Sequence, residues 1–158
     1  MKNIIFVVAF VTTAVWGYQS KIGNAKTGID AYSEVRFKLS NELSSREIEL
    51  VVFVKRDTRD SCEEMKSWVS EAIIQCTDLA DCQVIKNTCA FDIPNRYMKM
   101  FKGQPARTTY LRATNESLDR SLVLLFWGLN DAEADQWCSD LYDKITVNNK
   151  RRISAQCL

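Results

Sequence analysis

The chain has 158 residues, with 21 basic and 20 acidic side chains, net charge +1 and no histidine. That length supports one hydrophobic core, and the charge balance speaks against a dedicated nucleic-acid binder. Five Gly and two Pro exclude collagen-like and Pro/Gly-rich disordered chains. Without histidine, Ser-His-Asp and Cys-His catalysis and the usual zinc ligand sets are excluded as well.

Residues 1–17 read as a secretory signal: Lys2, then an uncharged apolar stretch from Ile4 to Val15, then Val15-Trp16-Gly17 as a cleavage site. The stretch is shorter than the ~20 residues of a membrane span. The mature chain is expected to start near Tyr18, with a loose lead-in at 18–30 and a single α+β domain over 31–158. All six cysteines, Cys62, Cys76, Cys82, Cys89, Cys138 and Cys157, lie in that mature part. An even count in an exported chain points to three disulfides and to a secreted or periplasmic location. No CxxC accompanies them, so no metal site is expected.

Val35, Phe37 and Leu39 alternate with Glu34, Arg36 and Lys38, the period of a half-buried strand. Glu47 to Val54 forms its hairpin partner across a five-residue loop. Asp60 and Ser61 open a helix, Ser61 and Glu64 having capping-box spacing. Its apolar stripe is Cys62, Met65, Val69, Ala72, Ile73 and Cys76. Cys82 to Thr88 reads as a short strand, and Asp92-Ile93-Pro94 starts a second helix that stops at Gly103. Arg107 to Thr114 and Arg120 to Trp127 form a second hairpin. Leu122 to Trp127 is apolar at every position and reads as a central strand covered on both faces. Asn130 to Glu133 caps a last helix with Ala134, Trp137, Cys138, Leu141 and Ile145 on its buried stripe. The order is β-β-α-β-α-β-β-α, read as a mixed sheet packed by two or three helices and stapled by disulfides. No internal repeat is visible.

The helix geometry constrains the cysteines. Cys62 and Cys76 lie at opposite ends of one helix, ~21 Å apart at ~1.5 Å per residue, too far for a bridge. The expected pairing is Cys76–Cys82, Cys62–Cys89 and Cys138–Cys157. Without its first strand the element order resembles the thioredoxin-like arrangement, with Cys62 at a helix start after a strand. Ser61-Cys62-Glu63-Glu64-Met65 lacks the second cysteine, and flanking glutamates raise a thiol pKa.

Charge is distributed unevenly along the chain. Arg96, Lys99, Lys102, Arg107 and Arg112 fall between Asn95 and Arg112 with no acid, interleaved with Tyr97, Phe101 and Tyr110. Asp131, Glu133, Asp135, Asp140 and Asp143 form an acidic run. The first run reads either as a solvated face or as a surface for an anionic partner. On it, Arg96, Lys99 and Lys102 share one helix face and Arg112 joins them from a strand, with Arg107 pointing away.

Glu63/Glu64 and Asp131/Glu133/Asp135 offer carboxylate pairs of the kind glycoside hydrolysis uses, but both groups sit where helix capping explains them. Asn115-Glu116-Ser117 is an N-glycosylation sequon on a predicted turn. Lys150-Arg151-Arg152 reads as a solvated segment or a processing site. No catalytic residue, cofactor or metal ligand stands out. The expectation is an exported, non-catalytic recognition protein (inhibitor, immunity-type protein, effector or envelope assembly factor) engaging a protein or anionic polymer rather than nucleic acid, with no membrane span. The alternative is a small extracytoplasmic enzyme using carboxylates or a thioredoxin-like thiol.

Overall fold

A computed structural model of the chain describes residues 30–40, 46–56, 58–66, 82–115, 120–148 and 153–158. The expected signal peptide, the hairpin loop at 41–45, the Cys76 end of the first helix and Lys150-Arg151-Arg152 lie outside the described residues. The elements are β1 (Ala31–Ser40), β2 (Glu47–Arg56), α1 (described over 59–66), β3 (Cys82–Ala90), α2 (Asn95–Phe101), β4 (Tyr110–Asn115), β5 (Arg120–Trp127), α3 (Asp131–Asn148) and β6 (Ser154–Cys157).

Six strands form one sheet in the order β3-β1-β2-β5-β4-β6. Every neighbouring pair is antiparallel, which corrects the expected mixed sheet. The physical reason lies in the helical connections. The chain leaves β2 through α1 and returns as β3 on the far side of β1, so β2 and β3 run parallel but β1 separates them. The same holds for β5, α3 and β6 about β4. A thioredoxin-like sheet sets such parallel strands side by side, and no described pair does so.

Strand alternation sorts the side chains into two cores. Val35, Phe37, Leu39, Leu50, Val52, Leu122, Leu124 and Phe126 face Met65 of α1 and Cys138, Leu141 and Ile145 of α3. Tyr32, Val51, Phe53, Tyr110, Val123 and Leu125 face Ile93, Tyr97 and Met100 around α2. The sheet is therefore a middle layer, with α1 and α3 on one side and α2 on the other. As its apolar run implies, β5 is central and Leu122 to Phe126 are buried, but Trp127 at the strand's end, read as covered with them, is exposed; Trp137 of α3 meets Phe126 edge-on at 6.0 Å.

The pairing reveals an internal duplication that the sequence conceals. β1-β2-α1-β3 and β4-β5-α3-β6 have the same topology, each with its third strand beside its first. Cys62 of α1 is bonded to Cys89 of β3, and Cys138 of α3 to Cys157 of β6. Cys89 lies opposite Ser33, next to Tyr32; Cys157 lies opposite Leu111, next to Tyr110. Tyr32 faces Lys55 across its hairpin and Tyr110 faces Leu125 across the other. Counting two residues back makes Phe53 equivalent to Val123, and these two pair directly. A pseudo-two-fold axis passes between them. The helices match as Cys62-x-x-Met65 and Cys138-x-x-Leu141, all four buried. Cys138 lies one turn deeper in its helix than Cys62 does, a length difference that hides the repeat from simple comparison.

Two local details depart from the sequence reading. α1 begins before Ser61, because Thr58 caps it: its Oγ1 accepts from the Ser61 N–H at 3.1 Å, and Ser61 Oγ donates back to the Thr58 carbonyl. β6 falls where only a tail was expected, a four-residue strand held by β4 and by Cys157. Cys82 is also in a disulfide; its expected partner Cys76 is outside the described residues. The α3 cap is as read: Asn130 Oδ1 accepts from the Glu133 N–H and Glu133 Oε2 from the Asn130 N–H, at 3.0 and 2.9 Å. At the β5–α3 junction Gly128 has φ +86°, and a Cβ there would stand 2.3 Å from the Glu47 carbonyl oxygen, so no other residue fits.

Leu124 is fully buried on β5 against the α3 side of the sheet. Leu124→Ala is expected to lose about 2–5 kcal/mol of stability through lost burial and the cavity left behind. Urea unfolding followed by near-UV circular dichroism measures it, and a loss below about 1 kcal/mol would contradict the central position of β5.

Candidate functional site: the basic face of helix α2

α2 starts at Pro94, whose ring holds φ at −49° and whose carbonyl accepts from the Tyr97 N–H at 2.8 Å. Proline suits this place because its missing N–H is one the helix start leaves unpaired anyway. Ile93, Tyr97 and Met100 are buried at helical spacing, and Tyr97 lies over Phe53 with ring centroids 4.5 Å apart. The opposite face presents Arg96, Lys99 and Lys102, all exposed. Lys102 and Gly103 close the last turn by donating to the Lys99 and Met100 carbonyls.

Three of the four expected binding residues thus share one outer face. Arg96 is held in place: its guanidinium lies 4.7 Å from the Tyr97 ring centre and donates to the Tyr97 hydroxyl at 2.9 Å. Lys99 and Lys102 have no carboxylate partner among the described residues. Arg112 has a different task. From β4 its Nε donates to the Phe101 carbonyl at 2.7 Å, satisfying an end-of-helix acceptor that α2 itself cannot. It anchors the face from below. Arg107 is exposed in the connection to β4, near Thr109, whose hydroxyl donates to Asp135 at the start of α3.

The interleaved aromatics do not belong to the outer surface. Tyr97 and Tyr110 are buried and Phe101 is half-buried, tilted against Tyr32 at 5.4 Å. Burial pushes the Tyr32 and Tyr110 phenols above the ordinary tyrosine value. The α2 face therefore offers charge without a stacking platform, correcting the partly aromatic surface read from the sequence.

Bases elsewhere are largely spoken for. On the same sheet face, beside α2, Lys86 and Arg36 flank Glu34 at 2.8 and 2.6 Å, Arg36 also reaches Glu49 at 2.9 Å, and Lys38 pairs with Glu47. Arg46, Lys55 and Lys66 pair with Glu133, Asp30 and Glu63. Burial raises the Glu34 pKa, but the hydrogen bonds from Lys86 and Arg36 outweigh it and hold the carboxyl below its ordinary value. This ladder is electrically self-contained.

The acidic run lies on α3, across the sheet. Glu133 is occupied by Arg46 and by its cap, which together lower its pKa, the opposite of what a general acid needs. Glu63 pairs with Lys66, and Cys62 is buried in its disulfide. Asn115, the first residue of the sequon, is 4% exposed at the end of β4, and Glu116 and Ser117 lie outside the described residues. Among the described residues no group of three or more Cys, Asp or Glu is arranged to hold a metal, and no helix is long and apolar enough to cross a membrane. No protein-family model matches the chain, and no match to it is found among curated proteins or solved structures.

The Glu34 ladder has a defined pH signature. Because its folded pKa is depressed, its contribution is complete above the ordinary glutamate value of about 4.3 and disappears as pH falls through the folded value. Glu34→Gln is expected to lose about 1–3 kcal/mol at neutral pH. The Arg36 and Lys86 side chains are 25% and 41% exposed, so water takes over part of their solvation. Wild-type and variant stabilities should converge in acid; parallel pH–stability curves would show that the ladder contributes nothing.

Proposed function

We propose that this chain is an exported, disulfide-stapled recognition domain, secreted or periplasmic, that binds an anionic partner outside the cytoplasm through Arg96, Lys99 and Lys102. One observation carries the reading. The two ββαβ halves account for every described element except α2 and its connections, and three bases of the run without acids, Arg96, Lys99 and Lys102, stand on α2 and its C-cap. Covering the second core accounts for the inner face of α2, but not for the choice of bases on its outer face. Lys99 and Lys102 on its outer face have no carboxylate partner among the described residues, while its inner face is anchored by Tyr97, Met100 and Arg112.

The chemistry of the face narrows the partner to an acidic protein surface or an anionic polymer. No aromatic side chain of α2 is free to stack on a base or enter a lipid layer, so recognition rests on charge. Such binding is strongly salt-dependent. The described disulfides are compatible with an oxidising compartment.

Lys99→Glu/Lys102→Glu is expected to lower affinity roughly tenfold or more at low salt and to flatten the salt dependence of what remains. The exposed positions leave the fold intact, which near-UV circular dichroism verifies. Salt elution from an immobilised sulfated polysaccharide and a pull-down from the native compartment measure the loss. Unchanged retention in both would leave the basic face as ordinary solvated surface.

A further inference from the structure

The two described disulfides occupy equivalent places in the two halves, yet their neighbours differ. In the second half, Cys157 is followed by Leu158, which exchanges backbone hydrogen bonds with Tyr110 in both directions, at 2.9 and 3.0 Å. Leu158 packs into the core beneath α2. A Cβ on Gly103 would lie 3.8 Å from Leu158 Cδ1 and 3.7 Å from the Arg112 guanidinium, so this strand end supports the turn that closes α2. Two more bonds grip the same end: Arg112 Nε to the Phe101 carbonyl, and the Tyr110 hydroxyl to the Gln104 carbonyl, each 2.7 Å. A continuous path of contacts thus runs from the Cys138–Cys157 bond through β6 and β4 to the last turn of the basic helix.

The first half provides an internal control. Ala90 stands where Leu158 stands and Glu34 where Arg112 stands. Glu34 is bound to Arg36 and Lys86, and β1 and β2 meet α2 through the rings of Tyr32 and Phe53. No described hydrogen bond from that half holds the α2 end.

We propose that the Cys138–Cys157 disulfide is a redox latch on the basic face of α2. Closed, it keeps β6 on β4 and the last turn of α2 in place; opened, it frees a four-residue edge strand that has only one neighbour in the sheet. Cys157 is the exposed partner and Cys138 the buried one. The co-reactant is a dithiol reductant. One of its thiolates attacks Cys157 Sγ and displaces Cys138 Sγ as a thiolate. Its second sulfur then attacks the mixed disulfide, releasing Cys157. The reductant gives up two electrons and two protons and ends as a disulfide; Cys138 and Cys157 end as thiols. That opening the latch weakens partner binding rests on the reading of α2 given above; the latch itself does not.

Amide hydrogen exchange on the full chain tests the latch. In Cys138→Ala/Cys157→Ala, exchange at Lys102, Gly103 and Gln104 is expected to accelerate roughly tenfold or more. In Cys62→Ala/Cys89→Ala it should change by less than about twofold at those positions. Leu158→Ala leaves both disulfides in place and should also accelerate them; if the first variant does not fold, it decides alone. Unchanged exchange in these variants, or equal acceleration in the Cys62/Cys89 pair, overturns the latch. Retention on a sulfated polysaccharide, before and after native treatment with dithiothreitol, tests the switch. Weaker retention after reduction supports it, and faster exchange with undiminished retention overturns it. A wild-type chain that is not retained at all refutes the binding reading instead, and the exchange measurements still judge the latch.

Discussion

Strands β2 and β5 pair over seven positions, from Glu49–Trp127 to Lys55–Ser121. Val51 to Val54 and Leu122 to Leu125 are buried whichever sheet face they point to. This seam joins the two halves of the domain, and both cores close over it. At about 25 cal/mol per Å² of apolar surface removed from water, a strand buried on both faces concentrates the folding drive in few residues. Neither described disulfide crosses the seam: one closes the first half and the other the second. Among the described residues, hydrophobic packing and the β2–β5 hydrogen-bond ladder join the halves.

Pseudo-symmetry explains why α2 stands out. α1 and α3 are related by the axis through Phe53 and Val123, lie on the same sheet face and carry equivalent half-cystines. Among the described helices α2 alone covers the other face, resting on Tyr32, Phe53 and Tyr110. It is short, so packing and anchoring have to supply what seven residues of helix cannot supply by themselves. Phe53, Tyr110 and Arg112 serve that end, and both halves contribute. The fixed underside allows the exposed side to be chosen for something other than folding.

The charge pattern follows the same division. Where bases serve the sheet they are matched: Glu34 takes a cation on each oxygen, and Glu133 holds Arg46 while capping α3. On α2 the bases are spaced one turn apart and face solvent. The acidic run of α3 lies behind the sheet, and with a helix layer and a sheet layer between, solvent screening over ~8 Å at physiological salt leaves little internal neutralisation. The molecule is nearly neutral in sum and polarised in arrangement.

Local chemistry alone determined much of this. Alternation in β1, the unbroken apolar run of β5, the Asn130–Glu133 cap, Gly103 as a helix stop and the i,i+3 spacing of Arg96, Lys99 and Lys102 are short-range signals, each set by backbone geometry within a few residues. Helix rise also argued against a Cys62–Cys76 bridge, and Cys62 is bonded to Cys89. The antiparallel sheet, the duplication, β6 and the role of Arg112 were not legible, because each depends on which strands become neighbours. Ser154 to Cys157 has no strand-like pattern of its own and becomes a strand only beside β4. Arg112 reads as one more exposed base until the fold brings Phe101 above it. The repeat is written in pairings and disulfides rather than in residue identities, since two equivalent positions need only the same depth in the sheet, not the same side chain.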